Sequence, residues 1–380
     1  MNVAIVIQDF RMRGGVERRT SELVKKLAAA GHRVHIYANA WDPQMGIGAR
    51  FHRVPMLKIH RALKPLSFAW SCTRLIPHGG HDLVHSQARI FKCDVVTLGV
   101  GCHRAFLDAL GIDPERSGDK WFHRAVLHVE RRMLAPGNYR RIITNSNKCK
   151  RELAAYYGVP LADVAVIRNG VDREAFSPET RVRLRAAARS ELGLGAEEMA
   201  VLLVGTGFER KGLKTLIQAA GVLKSEKPAF RARVLVVGGG RRDQYERMAA
   251  GLGIAESLVW VGRTDDIAKY YAAADIFVLP TIYDPFANCT MEALACGLPI
   301  VTTRTNGVSE ILRDGEDAFI IEPNDPTALA ERLGRLVEDR RLRERLGSAG
   351  RRAIEPYTWQ RTAEETMAVY EKIITSRNKL

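Results

Sequence analysis

The sequence contains no long apolar run and no paired cysteines. No stretch approaches the roughly 18 uninterrupted apolar residues that suggest a membrane-spanning helix. No two of the six cysteines form a C-x-x-C pair, so the thiols are expected to be reduced and cytoplasmic, without metal or disulfide. A chain of 380 residues is too long for one ordinary core, which predicts two globular domains.

A complete G-x-G-x-x-G motif is also missing, and this argues against a dinucleotide-binding dehydrogenase. The start of the chain nevertheless predicts a βαβ unit: a strand at 3–7, a helix at 16–30 and a strand at 34–37. Gly14 and Gly15 lie at the helix entrance, where glycine lets backbone N–H groups approach a phosphate closely. A plain tight turn explains this glycine pair about as well.

Acidic residues are absent between Asp42 and Asp82. The same span carries six cations interleaved with aromatic and aliphatic side chains. The formal net charge of +15 is divided unevenly, with 27 Lys/Arg against 14 Asp/Glu in residues 1–172 and 31 against 29 thereafter. Such a surface suits an anionic membrane or acceptor, although a solvated basic face is the simpler alternative.

The most informative stretch is 281–303, in which a strand is followed by a loop, a short helix, Gly297 and a second strand. Ligands of open α/β sheets bind at loops of this kind. Asp284 in the loop and Glu292 on the helix are separated by seven residues. A helix start suits a phosphate, and a carboxylate in the first turns can accept the hydroxyls of a ribose.

Two adjacent cations occupy a second strand-to-helix loop. A predicted strand at 199–204 leads into Gly207, Arg210 and Lys211, and a helix follows. Arginine offers a bidentate fork and lysine a point charge, so the pair suits a diphosphate. His103 follows another predicted strand, at 93–98, and considered alone it is most simply a structural histidine.

Together, in this order and spacing, these motifs resemble the family-4 retaining glycosyltransferases of GT-B fold. The matching elements are GGVE at 14–17, NGVD at 169–172, RKG at 210–212 and the D-x7-E motif that continues as EALACGLP to residue 299. Asp284 stands where that family usually has glutamate. Among family members, the chain looks most like bacterial lipopolysaccharide-core glucosyltransferases.

The resemblance implies an α/β fold with two Rossmann-like, doubly wound domains facing a central cleft. The expected boundaries are an acceptor domain at 1–172, a nucleotide-sugar domain at 173–358 and a C-terminal helix at 359–380 that returns to the first domain. The implied activity is transfer of a hexose, with UDP-glucose as the expected donor, to an anionic glycolipid such as the lipopolysaccharide inner core. No cofactor and no metal are expected. The implied location is the cytoplasmic face of the inner membrane, with peripheral attachment.

The resemblance also implies roles for individual residues. Glu292 would hold the ribose, Asp284 would lie by the donor sugar, and Arg210 and Lys211 would neutralise the diphosphate. His103 would contact the reacting sugar. The remaining donor-binding residues implied in this way are Gly14, Gly15, Gly207, Arg263, Phe286, Ala287 and Asn288.

Three alternatives remain open at this point. The donor could be GDP-mannose or another UDP-sugar, with a different acceptor. The protein could instead be a catalytically silent GT-B binding module, which the Asp284 departure favours. A sequence pI of about 9.7 suggests nucleic-acid binding as a third alternative. No recognised nucleic-acid-binding motif accompanies it, and no nucleic-acid partner is expected.

Overall fold

The computed structural model describes residues 1–11, 14–46, 48–76, 80–195, 197–227 and 232–377. The chain divides into two compact units. Unit 1 comprises Met1–Gly170 and Tyr357–Leu380, and unit 2 comprises Val171–Pro356. The first boundary falls two residues before the expected one, and the second also falls two residues earlier.

The described part of the chain contains fifteen strands and thirteen α-helices. The strands are β1 (Asn2–Val6), β2 (Asp9–Phe10), β3 (Arg33–Ala38), β4 (Ala40–Trp41), β5 (Ala49–Arg53), β6 (Leu83–Ser86), β7 (Val95–Thr97), β8 (Arg141–Thr144), β9 (Val164–Val166), β10 (Met199–Val204), β11 (Ala232–Val237), β12 (Leu258–Gly262), β13 (Ile276–Leu279), β14 (Ile300–Thr303) and β15 (Phe319–Ile321). The helices are α1 (Gly15–Ala29), α2 (Leu63–Leu75), α3 (His103–Ala109), α4 (Lys120–Met133), α5 (Asn147–Tyr157), α6 (Pro178–Glu191), α7 (Leu213–Glu226), α8 (Asp243–Gly251), α9 (Ala268–Ala273), α10 (Asn288–Ala295), α11 (Pro326–Glu338), α12 (Arg340–Ala353) and α13 (Trp359–Arg377).

Each unit is built on one parallel sheet. In unit 1 the strand order is β5-β3-β1-β6-β7-β8-β9, and in unit 2 it is β12-β11-β10-β13-β14-β15. All the pairings within these sheets are parallel. In unit 2 the order reverses between β10 and β13, and in unit 1 it reverses between β1 and β6. Both sheets are therefore doubly wound, with the switch point at which such sheets bind ligands. The prediction of two doubly wound α/β domains is confirmed.

The core of unit 1 joins residues that are far apart in the sequence. Buried apolar side chains of β1, β3 and α1 pack with Ala363, Tyr370 and Ile373 of α13. Gly170 lies where a Cβ atom would come 2.1 Å from the backbone nitrogen of Trp359, so the close approach at the start of α13 requires glycine. This explains the glycine of the N-G-V-D motif by packing.

One buried polar group of this unit, His85, has partners at both ring nitrogens. His85 on β6 contacts the Tyr370 hydroxyl through Nδ1, and its Nε2 lies 2.7 Å from the Thr97 hydroxyl. Burial, with a smaller contribution from Arg19, lowers the pKa of His85 to about 3. The imidazole is therefore neutral in the folded protein at any pH well above that value.

The depressed pKa of His85 predicts acid sensitivity. The unfolded chain binds a proton at this histidine below about pH 6.5, whereas the folded chain does not until the pH approaches 3. Its stabilising contribution is complete above about pH 6.5 and falls as pH decreases, by about 2 kcal/mol at pH 5. Urea unfolding at several pH values measures this slope. In His85→Asn, the change of the unfolding free energy with pH should be smaller by the contribution of one protonating group. The exposed control His128→Asn should keep the wild-type slope. Equal slopes in the His85 variant and the wild type would contradict the assignment.

Candidate functional site

The loops after β10 and β13 adjoin at the switch point of unit 2. β10 pairs directly with β13, through Val201 and Ile276. The carboxyl ends of neighbouring parallel strands meet at one edge of the sheet, so the loop at 205–212 and the loop at 280–287 are brought together. These are the two loops that carry the predicted cations and the first predicted acid.

Backbone contacts lock the two loops to each other. The carbonyl oxygen of Arg210 accepts hydrogen bonds from the Ile282 N–H and from the Thr281 hydroxyl, both at 2.8 Å. Gly212, directly before α7, has a φ of +74°, and a Cβ atom there would lie 1.9 Å from the carbonyl oxygen of Pro280. Only glycine satisfies both conditions, so the glycine of R-K-G sets the separation of the loops.

Both cations reach the same carboxylate oxygen. Nη1 of Arg210 lies 2.7 Å from Oδ2 of Asp284, and Nζ of Lys211 lies 2.8 Å from that same atom. The Lys211 and Asp284 side chains are 7% and 8% exposed, whereas that of Arg210 is 27% exposed. This charge triad, Arg210, Lys211 and Asp284, carries one net positive charge, most accessible at the guanidinium.

The triad keeps Asp284 ionised. Burial acts to raise the pKa of this carboxyl, but the charges of Lys211 and Arg210 and their hydrogen bonds outweigh it and lower the pKa below its usual value. The Asp284 backbone is also fixed, because its N–H donates to Thr305 and its carbonyl accepts from Gly307. The carboxylate is thus held as a permanent counter-ion to the two cations.

The second acid of the motif is oriented by a buried tyrosine. Tyr271 on α9 is fully buried and donates its hydroxyl to Oε2 of Glu292 at 2.8 Å, with the carbonyl of Cys289 at 3.1 Å. Burial, followed by the charge of Glu292, raises the pKa of Tyr271 well above its usual value, so the phenol stays a donor. Glu292, on α10, is half-buried. This arrangement leaves a carboxylate whose orientation is set from its buried side.

The loop that enters α10 has its own scaffold. Phe286 and Ala287 are buried and Asn288 is half-buried. Oδ1 of Asn306 accepts from the Ala287 N–H at 3.3 Å, while its Nδ2 donates to the hydroxyls of Thr290 and Thr302. Ala287 is the N-cap of α10 and offers no capping side chain, so the positive end of this helix is not closed by its own cap.

Gly207 and Arg263 lie toward the turn after β11. The Gly207 N–H donates to the carbonyl of Gly239 at 2.9 Å. Nε of Arg263 would lie 2.7 Å from a Cβ atom at Gly239, so the exposed Arg263 side chain runs against this turn. The structure thus connects Gly207 and Arg263 through one glycine turn of unit 2.

Three predicted site residues belong to unit 1. Gly14 precedes α1 with an extended backbone, and Gly15 begins that helix. Residues 12 and 13 of the same loop lie outside the described residues. His103 begins α3, and its Nε2 lies 3.0 Å from Nδ1 of His123. These three residues thus lie in unit 1, whereas the charge triad and Glu292 lie in unit 2.

Sequence reasoning missed several residues that shape these sites. Tyr271 orients Glu292 and Asn306 holds the 280–287 loop in unit 2, and His123 and Glu130 contact His103 in unit 1. For Tyr271 a usable signal existed, because a tyrosine that is buried in an alanine-rich segment needs a partner for its hydroxyl. The other three reveal themselves only through contacts distant in sequence.

Comparisons with known proteins agree with this geometry. Residues 13–175 match the family model described as Glycosyltransferase Family 4, and residues 185–353 match the one described as Glycosyl transferases group 1. The two matches lie in unit 1 and unit 2 respectively, apart from the last residues of the first. The chain belongs to the family-4 glycosyltransferases of GT-B fold, as predicted.

Individual curated relatives match this chain over only part of their length. A D-inositol 3-phosphate glycosyltransferase of Streptomyces bingchenggensis is 31% identical over 250 residues, which cover 63% of this chain and 54% of the relative. The match thus spans little more than half of that protein's length.

Solved structures share the fold over nearly the whole chain. WaaG, a glycosyltransferase involved in lipopolysaccharide biosynthesis, has a TM-score of 0.84 at 20% identity, covering 97% of this chain and 99% of its own. Anabaena HepE in complex with UDP-glucose has a TM-score of 0.73 at 19% identity, covering 99% of this chain and 100% of its own. At these identities the likeness concerns the fold.

The charge triad predicts a large stability effect at Asp284. Asp284→Asn leaves Lys211 buried without a counter-charge, so the free energy of unfolding should fall by about 3 kcal/mol. Asp284→Glu keeps the charge and should recover part of the loss. Asp265→Asn, an exposed change in the same unit, serves as the control and should stay within about 0.5 kcal/mol. Chemical denaturation measures all three. A wild-type stability for Asp284→Asn would show that the triad contributes little.

Proposed function

We propose that this protein is a retaining glycosyltransferase that moves a hexose from a nucleotide diphosphate sugar, with UDP-glucose the favoured donor. The observation that carries the proposal is that the switch point of unit 2 carries both a pair of cations, Arg210 and Lys211, and the oriented carboxylate of Glu292. This pairing suits the two halves of a nucleoside diphosphate, its anionic phosphates and its ribose hydroxyls. Membership of the family and the UDP-glucose bound to HepE support the choice of donor.

The proposed chemistry depends on charge. As the bond to the sugar breaks, the nucleoside diphosphate gains negative charge, and the net positive charge of the triad stabilises it. Arg210, the more exposed of the two cations, contacts the phosphates, while Lys211 acts from beneath as a point charge. These two cations do the work of a divalent ion, so the proposed reaction is independent of a metal and of any cofactor.

Other residues complete the proposed donor site. Glu292 accepts the ribose hydroxyls, and the start of α10 at Phe286, Ala287 and Asn288 surrounds the donor sugar beside Asp284. Arg263 meets the base side of the nucleotide, and Gly14 and Gly15 approach the diphosphate. His103 contacts the transferred sugar. These roles, like retention of configuration, follow the family pattern.

The proposed acceptor is anionic, for example a phosphorylated glycolipid of the lipopolysaccharide inner core. The charge of +13 in residues 1–172 supports an anionic partner for unit 1. The likeness to WaaG and to a relative named for a phosphorylated inositol supports the same chemistry. A different donor sugar or acceptor remains the principal alternative.

A basic surface supports membrane attachment at the cytoplasmic face. Arg50, Arg53, Lys58 and Arg74 are exposed within the acid-free span 43–81. Ile59 is 89% exposed, and Leu57 and Trp70 are each 52% exposed, while Phe68 is buried. Exposed apolar side chains among cations suit an anionic lipid interface. None of the helices in the described ranges has the length and apolar character needed to cross a bilayer.

A silent binding module is the second candidate function. Asp284 replaces the usual glutamate of the family and is engaged by both cations in the structure. If Asp284 kept these two ion pairs when the donor was bound, its carboxylate would not be available to the donor sugar. Hydrolysis of the donor separates the enzyme from the module.

The donor proposal is tested with a panel of UDP-, GDP- and ADP-sugars in thermal unfolding, since a ligand that binds only the folded state raises the melting temperature. We expect UDP-glucose to give the largest shift.

Glu292→Gln should weaken UDP binding in calorimetry while the melting temperature barely moves. Lys211→Ala should lower the rate of donor turnover by about 100-fold or more. No shift with any donor, or Lys211→Ala turnover within twofold of wild type, would overturn the proposal.

The membrane proposal is tested by sedimentation with vesicles. Anionic vesicles should bind the protein at low salt and release it as salt rises, because each cation contributes about 1 kcal/mol that is screened within a Debye length. Replacing Arg50, Arg53 and Lys58 with glutamate should abolish most of the binding and leave donor hydrolysis intact. The matched control replaces three exposed cations of α12 in unit 2, Arg340, Arg341 and Arg345, with glutamate. Equal binding to anionic and neutral vesicles would refute the proposal.

A further inference from the structure

A fully buried carboxylate fixes the backbone at His103. Glu130 of α4 is 0% exposed, and both of its oxygens accept the backbone N–H of His103, at 2.8 and 3.0 Å. The same carboxylate accepts from the Tyr157 hydroxyl and from Nε of Arg89, each at 2.6 Å. One acid thus joins the start of α3, the end of α5 and the segment after β6. The position of His103 along the chain is therefore rigidly determined.

The same helix also holds the side chain of His103. His123 lies seven residues before Glu130, which is close to two turns of α4, so both residues lie on one face of that helix. His123 is only 8% exposed, and its Nδ1 lies 3.0 Å from Nε2 of His103. The His103 ring also stacks on Phe106, with ring centres 5.7 Å apart. Within the described residues, no protein group forms a hydrogen bond to Nδ1 of His103.

We propose that His123 is a positioning residue: it occupies Nε2 of His103 and thereby leaves Nδ1 as the single nitrogen that meets the transferred sugar. Glu130 provides the fixed backbone on which this orientation depends. The inference rests on the proposed function in one respect, the contact between His103 and the sugar. The hydrogen bond between the two histidines is a feature of unit 1 alone.

The chemistry of two neutral imidazoles gives His123 control over the tautomer as well. A neutral imidazole has one N–H and one bare nitrogen, so a bond between two of them needs one donor and one acceptor. If His123 donates, Nδ1 of His103 carries the proton, and if His123 accepts, Nδ1 is bare. Burial, followed by the charge of Arg89, lowers the pKa of His103 to about 4, and burial also lowers the pKa of His123, despite the opposing charge of Asp119. Both rings are therefore neutral near pH 7, with Arg89, Glu130, Arg61 and Asp119 as the charged groups around them.

The test uses two replacements of His123 that differ in hydrogen bonding. His123→Phe keeps a ring but removes the bond, and His123→Asn places an amide that can donate or accept near the original Nδ1. With UDP-glucose as the donor, we expect the Phe variant to lose about tenfold in kcat with little change in the donor KM. The Asn variant should recover most of that loss. The exposed His128→Phe on the same helix is the control and should match the wild type.

Nitrogen NMR of histidine-labelled protein provides a readout that does not need turnover. The Nε2 resonance of His103 should move in His123→Phe and return toward its wild-type position in His123→Asn. Unchanged His103 resonances in the Phe variant would overturn the proposal, and so would equal kcat losses in the Phe and Asn variants. If the wild type turns over no donor, the proposed function fails, and the NMR arm still decides whether His123 orients His103.

Discussion

The buried charge triad of unit 2 is the interaction on which the candidate donor site depends. Two cations on consecutive residues repel each other, and Lys211 is too buried for water to screen it. Asp284 resolves both problems with a single oxygen atom, and the backbone contacts that hold the 280–287 loop against Arg210 keep that oxygen in place. The site is therefore preorganised: its positive charge is fixed by the protein before any phosphate arrives, so little reorganisation is needed when charge develops.

A shorter acid fits this arrangement. Aspartate has one methylene fewer than the glutamate usual in the family, so its carboxylate stays close to the loop backbone, where Lys211 and Arg210 meet it. The consequence is a division of labour between the two acids of the motif. Asp284 acts on the cations, and Glu292, oriented by Tyr271 from the buried side, is the acid whose geometry suits a nucleotide hydroxyl. The spacing of seven residues thus separates a counter-ion from the carboxylate that we propose binds the ribose.

Most of the sheet architecture could be predicted from the sequence because parallel strands are continuous apolar runs. The strand expected at 199–204 has the bounds of β10, and Gly297, which the sequence places after the short helix, follows α10 in the left-handed conformation. Helices with a weaker apolar pattern were missed. α2 contains Pro65 in its first turn, and α6 is largely charged, although Ser177 and Pro178 form a good helix start. The contacts of Asp284 and Glu292 were beyond reach, because their partners Lys211, Arg210 and Tyr271 are many residues away.

The two units use buried charge in opposite ways. In unit 2 one carboxylate serves two cations, which leaves a net positive charge directed toward an anion. In unit 1 the Glu130 carboxylate is fully buried, meets a single cation, Arg89, and satisfies its remaining capacity with a backbone N–H and a phenol. The charges of Glu130 and Arg89 cancel, so Glu130 can fix the neutral His103 without attracting an ion to it. A neutral, oriented imidazole suits hydrogen bonding to a sugar, and a positive triad suits a diphosphate.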